Sequence, residues 1–265
     1  MNTTPSPLAR RLAASATFAM VQKAAELRAA GIDVISMSVG EPDFATPDYI
    51  KEAAHKAIDD NYSKYSPVTG YLWLREAVCK KLKNENNLDY TPAEIIISNG
   101  AKQALSSVVM AIAGPDDEVI VPTPCWVSYT EMVKLAGATP VLVHAGIEQD
   151  FKITAEQLEA AITPKSRAIM LCSPSNPTGA IYTKEELASL AAVLEKHEDI
   201  MIISDEIYEH LNYIGGHESI AQFPALKERC CVINGVSKAY AMTGWRIGYA
   251  AAAKWVIAAC NKIQG

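Results

Sequence analysis

Lysine, carboxylate, phenol and amide side chains occur in this 265-residue chain just beyond apolar runs, where a folded sheet could gather them. In the stretch MIISDEIYE an apolar run delivers Asp205 at its C-terminal end, and Tyr208 follows three residues later. Ligands of open α/β sheets sit at the carboxyl ends of strands, so both side chains would face a site. The competing reading is that Asp205 caps the next helix. In SPSNPTG, directly after the apolar run Ala168 to Cys172, two prolines restrict the backbone and Gly179 permits a tight turn, which fixes the orientation of Asn176. In VINGVSKAYAMTGWR, Ser237 and Lys238 follow another apolar run and Arg246 lies eight residues beyond the lysine. Loss of solvation past a buried strand depresses a lysine pKa, which suits attack on a carbonyl carbon. A solvated surface lysine is the alternative, and it leaves Ser237 and Arg246, both good phosphate donors, unexplained. Finally, Ser98-Asn99-Gly100-Ala101-Lys102 joins an apolar run to a helical pattern, so backbone N–H groups at Gly100 and Ala101 would meet the positive end of a helix dipole, a phosphate site. Trp126 in Pro124-Cys125-Trp126 could stack on a flat heteroaromatic ring, although a core position is the default for an indole.

The elements that must position these residues are short β-branched runs alternating with helical patterns. The runs are Glu94 to Ser98, Glu118 to Val121, Pro140 to Val143, Arg167 to Cys172, Ile200 to Ser204, Cys231 to Asn234 and Arg246 to Ala250. Such alternation means an α/β fold with a mostly parallel sheet. Consecutive apolar residues, as in Ile95-Ile96-Ile97 and Met201-Ile202-Ile203, predict strands covered by helices on both faces. Thr46-Pro47 places proline at a first helical position, and Thr154 with Gln157 and Thr183 with Glu186 are capping-box spacings. Arg10 and Arg11 give the N-terminus a faint likeness to a transit peptide, but Val21 through Arg28 continues it as an amphipathic helix, an arm leading into one large domain.

Bulk properties narrow the partners. The chain is 49% hydrophobic and 20% charged, enough to bury a large core, and its net charge of -6 leaves no basic footprint for nucleic acid or an anionic membrane surface. No apolar run approaches the roughly 18 residues of a membrane span, so a soluble protein with a small-molecule ligand is expected. The six cysteines, Cys79, Cys125, Cys172, Cys230, Cys231 and Cys260, show no CxxC pair and have no histidine at ligand spacing. They are expected to be reduced thiols of a cytoplasmic protein, with no metal.

Taken together, SVGEPDFATP, YSPVTGYLWLREA, CSPSNPTG, ISDEIY and GVSKAYAMTGWRIGY resemble the class I aminotransferases of the pyridoxal-phosphate fold type I superfamily, especially the bacterial-type aspartate aminotransferases, from about Arg10 to Gly265. The resemblance implies a three-layer α/β/α large domain over residues 46–265, an N-terminal arm and small-domain segment over 1–45, and pyridoxal 5'-phosphate as cofactor. It implies that Lys238 carries the cofactor as a Schiff base and later shuttles a proton, that Asp205 pairs with the pyridinium nitrogen, and that Asn176 and Tyr208 bond the phenolic oxygen. By the same resemblance the phosphate is held by the backbone from Gly100 through Lys102, by Ser237 and by Arg246, with Trp126 over the ring. Tyr65 matches a tyrosine that reaches the phosphate of a neighbouring subunit, which implies a homodimer. Gly40 matches a backbone position beside the substrate carboxylate, and Lys102 the lysine that receives the distal carboxylate of a dicarboxylic substrate; Trp126 and Asn176 border that substrate. The implied activity is transfer of an amino group between an amino acid, aspartate or glutamate, and a 2-oxo acid. A lyase or decarboxylase on the same scaffold and a catalytically silent cofactor-binding fragment are the alternatives.

The sequence departs from the family at Cys125, where the subgroup commonly has an aromatic. It also ends at Gly265, whereas family members run on for roughly another domain's length. That segment normally brings the C-terminal small domain and the arginine that clamps the substrate α-carboxylate, and Arg75 and Arg229 lie in ordinary helical or surface contexts.

Overall fold

The structure, a computed structural model, describes residues 4–265. Its helices are α1 (Pro7–Arg11), α2 (Ala16–Ala29), α3 (Asp48–Asp59), α4 (Leu72–Asn86), α5 (Ala101–Ile112), α6 (Ser128–Leu135), α7 (Ala155–Ala161), α8 (Lys184–Leu194) and α9 (Lys254–Gln264). Its strands are β1 (Ile95–Asn99), β2 (Glu118–Thr123), β3 (Thr139–His144), β4 (Ser166–Cys172), β5 (Met201–Asp205), β6 (Cys230–Gly235) and β7 (Ile247–Ala251). They form one sheet in the order β1-β7-β6-β5-β4-β2-β3. The pairs β2/β3, β2/β4, β4/β5 and β5/β6 are parallel, and β7 runs antiparallel to both of its neighbours.

Alternate residues of each strand point to opposite faces, and each face has its own apolar core. Ile202 and Val232 pack with Leu82 of α4, Leu158 of α7 and Leu190 of α8. Ile203 and Ile233 pack with Leu105 of α5, Val133 of α6 and Val256 of α9. The expected three layers are therefore present, and β5 and β6 are buried along their whole length because helices cover both sides.

Small shifts from the expected boundaries have local causes. β1 starts one residue late because Glu94 closes a capping box on Thr91 over a short 3-10 turn. β7 begins at Ile247 because Arg246 sits at φ 58, in the left-handed region. Pro47 occupies the N-cap of α3 rather than its first helical position. The capping boxes at Thr154/Gln157 and Thr183/Glu186 form as expected. The N-terminal helix α2 also forms, but it carries no distinct apolar face and none of its residues is buried. All six cysteines are free thiols. No described helix is long and apolar enough to cross a membrane.

Candidate cofactor site

The carboxyl ends of the parallel strands define one edge of the sheet. Cys172 of β4 pairs with Asp205 of β5, and Asp205 with Ile233 of β6, so these ends lie in register. The Ser173–Gly179 loop, the Asp205–Tyr208 turn and Ser237-Lys238 therefore leave the sheet side by side. β1 and β2 run the same way, and deliver Gly100 and Trp126 beyond their ends. The single antiparallel strand, β7, enters from that edge, which is why Arg246 can join the group by preceding its strand.

Side-chain geometry links these residues into three sets. In the first, the Lys238 ammonium donates to the Gly40 carbonyl at 2.7 Å and lies 5.7 Å from the centre of the Tyr208 ring. Asn176 Nδ2 donates to the Tyr208 hydroxyl at 3.1 Å. Burial pushes the Lys238 pKa down; Glu41 opposes this and Arg246 adds to it. Burial likewise pushes the Tyr208 phenol up to about 12.

In the second set, Asp205 is 3% exposed. Its Oδ2 accepts from the Tyr129 hydroxyl at 2.6 Å, and its Oδ1 accepts from the Ile207 N–H at 3.3 Å. One oxygen thus bonds the following turn, where the competing reading expected a helix cap, while the other is engaged by a side chain from α6. Burial raises the Asp205 pKa from 3.8 to about 6, against the lowering effect of these two donors. Trp126 meets Tyr129 edge to face at 5.6 Å, and the Lys102 ammonium lies 5.2 Å from the indole centre. Behind Asp205, the buried Glu206 carboxylate accepts from Ser204 and Ser219 and pairs with His217 at 2.9 Å, which anchors the chain after β5.

In the third set, the Arg246 guanidinium donates to Thr243 O at 2.8 Å and Asn99 O at 3.3 Å. It lies so close over Gly100 that a Cβ there would overlap it, and Gly100, at φ 80, caps the N-terminus of α5. Arginine, helix N-terminus and the buried Ser237 together offer charge-assisted and backbone donors for a phosphate. Gly179, at φ 74, closes the Asn176 loop with a backbone bond to Ser175 O.

The residues present fit pyridoxal phosphate. A buried carboxylate without a basic side chain bonded to it can take a ring N–H, an amide and phenol can take a phenolic oxygen, and a lysine with a depressed pKa can attack an aldehyde. Tyr65 is not brought into this group: it is fully exposed and forms no hydrogen bond among the described residues. Tyr129 escaped sequence reasoning. Its position three residues after Trp126 was the available signal, since such a spacing beside a helix start puts two rings on one side.

Comparison with known proteins agrees with this architecture. Residues 32–265 match the sequence model of the family Aminotransferase class I and II. An aspartate aminotransferase of Pinus pinaster is 48% identical over 261 residues, which cover 98% of this chain and 53% of that protein. One from Geobacillus stearothermophilus is 53% identical over 262 residues, 97% of this chain and 66% of the relative. The solved structure of aspartate aminotransferase from Thermus thermophilus with maleate superposes with a TM-score of 0.95 at 46% identity, covering 98% of this chain and 68% of that one. This chain thus spans between about half and two thirds of the length of the curated relatives it matches. With this fold, and with a match over most of its length, the chain belongs to the class I and II aminotransferase family.

Proposed function

We propose that this chain is the cofactor-binding large part of an aminotransferase that uses pyridoxal phosphate to move an amino group between a dicarboxylic amino acid and a 2-oxo acid. The observation that carries the reading is the meeting, at one sheet edge, of Lys238 with a depressed pKa and the Asn176–Tyr208 pair, beside a buried Asp205. The names of the relatives, aspartate aminotransferases, support the choice of aspartate as donor.

When bound, pyridoxal phosphate supplies an electron sink that stabilises a carbanion at the substrate Cα. In this reading Lys238 would hold the cofactor through its aldehyde carbon, with loss of water, and its amine would carry a proton to and from that Cα. Asp205 holds a proton at the ring nitrogen. Asn176 and Tyr208 orient the phenolic oxygen, and Trp126 packs over the ring and excludes water. The backbone from Gly100 through Lys102, with Ser237 and Arg246, binds the phosphate. Gly40 and Lys102 serve the two substrate carboxylates, with Trp126 and Asn176 bordering them. Tyr65 serves the phosphate of a second copy, in a homodimer. Residues 1–45 act as arm and small-domain segment on a large domain of 46–265, in a cytoplasmic biosynthetic enzyme.

The test is chemical. The chain is incubated with pyridoxal phosphate, reduced with borohydride and digested, and peptide mass spectrometry is expected to find the pyridoxyl group on Lys238. A label spread over surface lysines, or one that persists in other peptides of Lys238→Ala at equal yield, sinks the proposal. Aspartate and 2-oxoglutarate supplied to the loaded protein then report amino transfer.

A further inference from the structure

We propose that Tyr129 is a positioning residue that fixes the Asp205 carboxylate and the Trp126 indole against one another, and so sets how Asp205 presents its charge to a ring nitrogen. This rests on the reading of Asp205 given above.

The geometry is specific. Tyr129 is 2% exposed, and its hydroxyl lies 2.6 Å from Asp205 Oδ2, within the range of charge-assisted O–H···O⁻ bonds. With the Ile207 N–H on Oδ1, both carboxylate oxygens are pinned, so the plane of the group is fixed before any ligand arrives. The Tyr129 ring meets Trp126 at an interplanar angle of 85°. One side chain therefore touches both the group expected at the ring nitrogen and the group expected over the ring face.

The electrostatics give Tyr129 a second task. The titratable groups facing Asp205 are Tyr129 from α6, Cys172 at the end of β4, and Glu206 and Tyr208 from its own segment; none is basic. Burial and Glu206 oppose ionisation, while the Tyr129 hydroxyl and the Ile207 N–H favour it. Removing the hydroxyl would leave the carboxylate with one weak backbone donor, and its proton would be held to higher pH.

Tyr129→Phe keeps the ring and removes only the donor. The first measurement uses the chain without cofactor and compares its thermal unfolding with the parent at pH 5 and pH 8. Hydrogen bonds to charged groups are worth about twice those between neutral ones, so the loss in Tm is expected to be about twofold larger at pH 8. In an Asp205→Asn background the same change is expected to cost the same at both pH values. Equal losses at pH 5 and pH 8 in the parent background would overturn the proposal, because packing alone has no such pH dependence. Should Tyr129→Phe fail to fold, site-specific 3-fluorotyrosine at position 129, a stronger donor of nearly the same shape, is expected to raise Tm at pH 8 more than at pH 5; no difference overturns the idea. The second measurement is pyridoxal phosphate affinity by fluorescence quenching, expected to fall about tenfold in Tyr129→Phe. Unchanged affinity counts against Tyr129. A parent chain that takes up no pyridoxal phosphate would instead sink the reading of the site, and the unfolding comparison would still stand.

Discussion

Asp205 illustrates what a residue proposed for cofactor binding costs its own fold. Its folded-state pKa of about 6 lies above the ordinary 3.8, because burial penalises the charged form. Ionisation therefore weakens the folded chain: the penalty is absent below about pH 4, grows as pH rises and is complete above about pH 6. At about 1.4 kcal/mol per pH unit, that displacement amounts to roughly 3 kcal/mol. Asp205→Asn keeps one oxygen acceptor, for the Tyr129 hydroxyl or the Ile207 N–H but not for both, and has no charge to bury. In urea unfolding without cofactor, it is expected to be more stable than the parent at pH 8 by an amount of that order, with the advantage fading towards pH 4. An advantage independent of pH would show that desolvation of the carboxylate is not the cause. Asp205, Tyr208, Asn176 and Lys238 were legible in the sequence because each follows an apolar run, and a parallel sheet gathers such positions at one edge. Tyr129 was marked only by its spacing from Trp126; its bond to Asp205 depends on how α6 is set against β5, a tertiary fact that no local pattern encodes.

Among the elements, β7 and the start of α5 meet backbone to backbone at a tight junction of the site. A Cβ on Gly248 would overlap the backbone at Gly100 and Ala101, so only glycine lets this strand pass the helix N-terminus. Backbone cannot move aside as a flexible side chain can. Gly248→Ala is accordingly expected to destabilise the chain by about 1–3 kcal/mol, the cost of overpacking. It should also weaken phosphate-dependent cofactor binding, because relief of the clash displaces the Gly100–Ala101 backbone. Denaturant unfolding and pyridoxal phosphate titration measure the two effects; a variant normal in both would mean the junction is compliant. The strands themselves were readable from β-branched runs, and α7 and α8 from their capping boxes, since these signals are local. The ends that shifted did so through backbone conformation: Arg246 at φ 58 cannot belong to a strand, and nothing in its side chain announces that. The helix α2 was legible as a helix but not as an exposed one, because helical propensity does not show what covers a helix.

At the scale of the whole molecule, exposed apolar side chains are concentrated towards the N-terminus. Phe18, Ile35, Met37, Phe44, Ile58, Tyr65 and Trp73 are all exposed, whereas the sheet's own faces are closed by helices. Exposure of this kind along one stretch of the chain fits the proposed homodimer. Tyr65 gives that proposal a sharp consequence. If its hydroxyl serves the phosphate bound by a second copy, each site takes Lys238 from one chain and Tyr65 from the other. Tyr65→Ala homodimers would then hold pyridoxal phosphate weakly at both sites, and Lys238→Ala homodimers would form no covalent attachment. Mixing the two variants under conditions of subunit exchange creates hybrids in which one site has both residues and the other has neither. Tight, borohydride-fixable binding is therefore expected to reappear in the mixture, approaching one site per hybrid dimer, with the label carried by the Tyr65→Ala chain. A mixture that behaves as the sum of its two components, in a preparation shown by mass spectrometry to contain hybrids, would place Tyr65 outside the partner's site and remove the strongest reason for putting that site at a subunit interface.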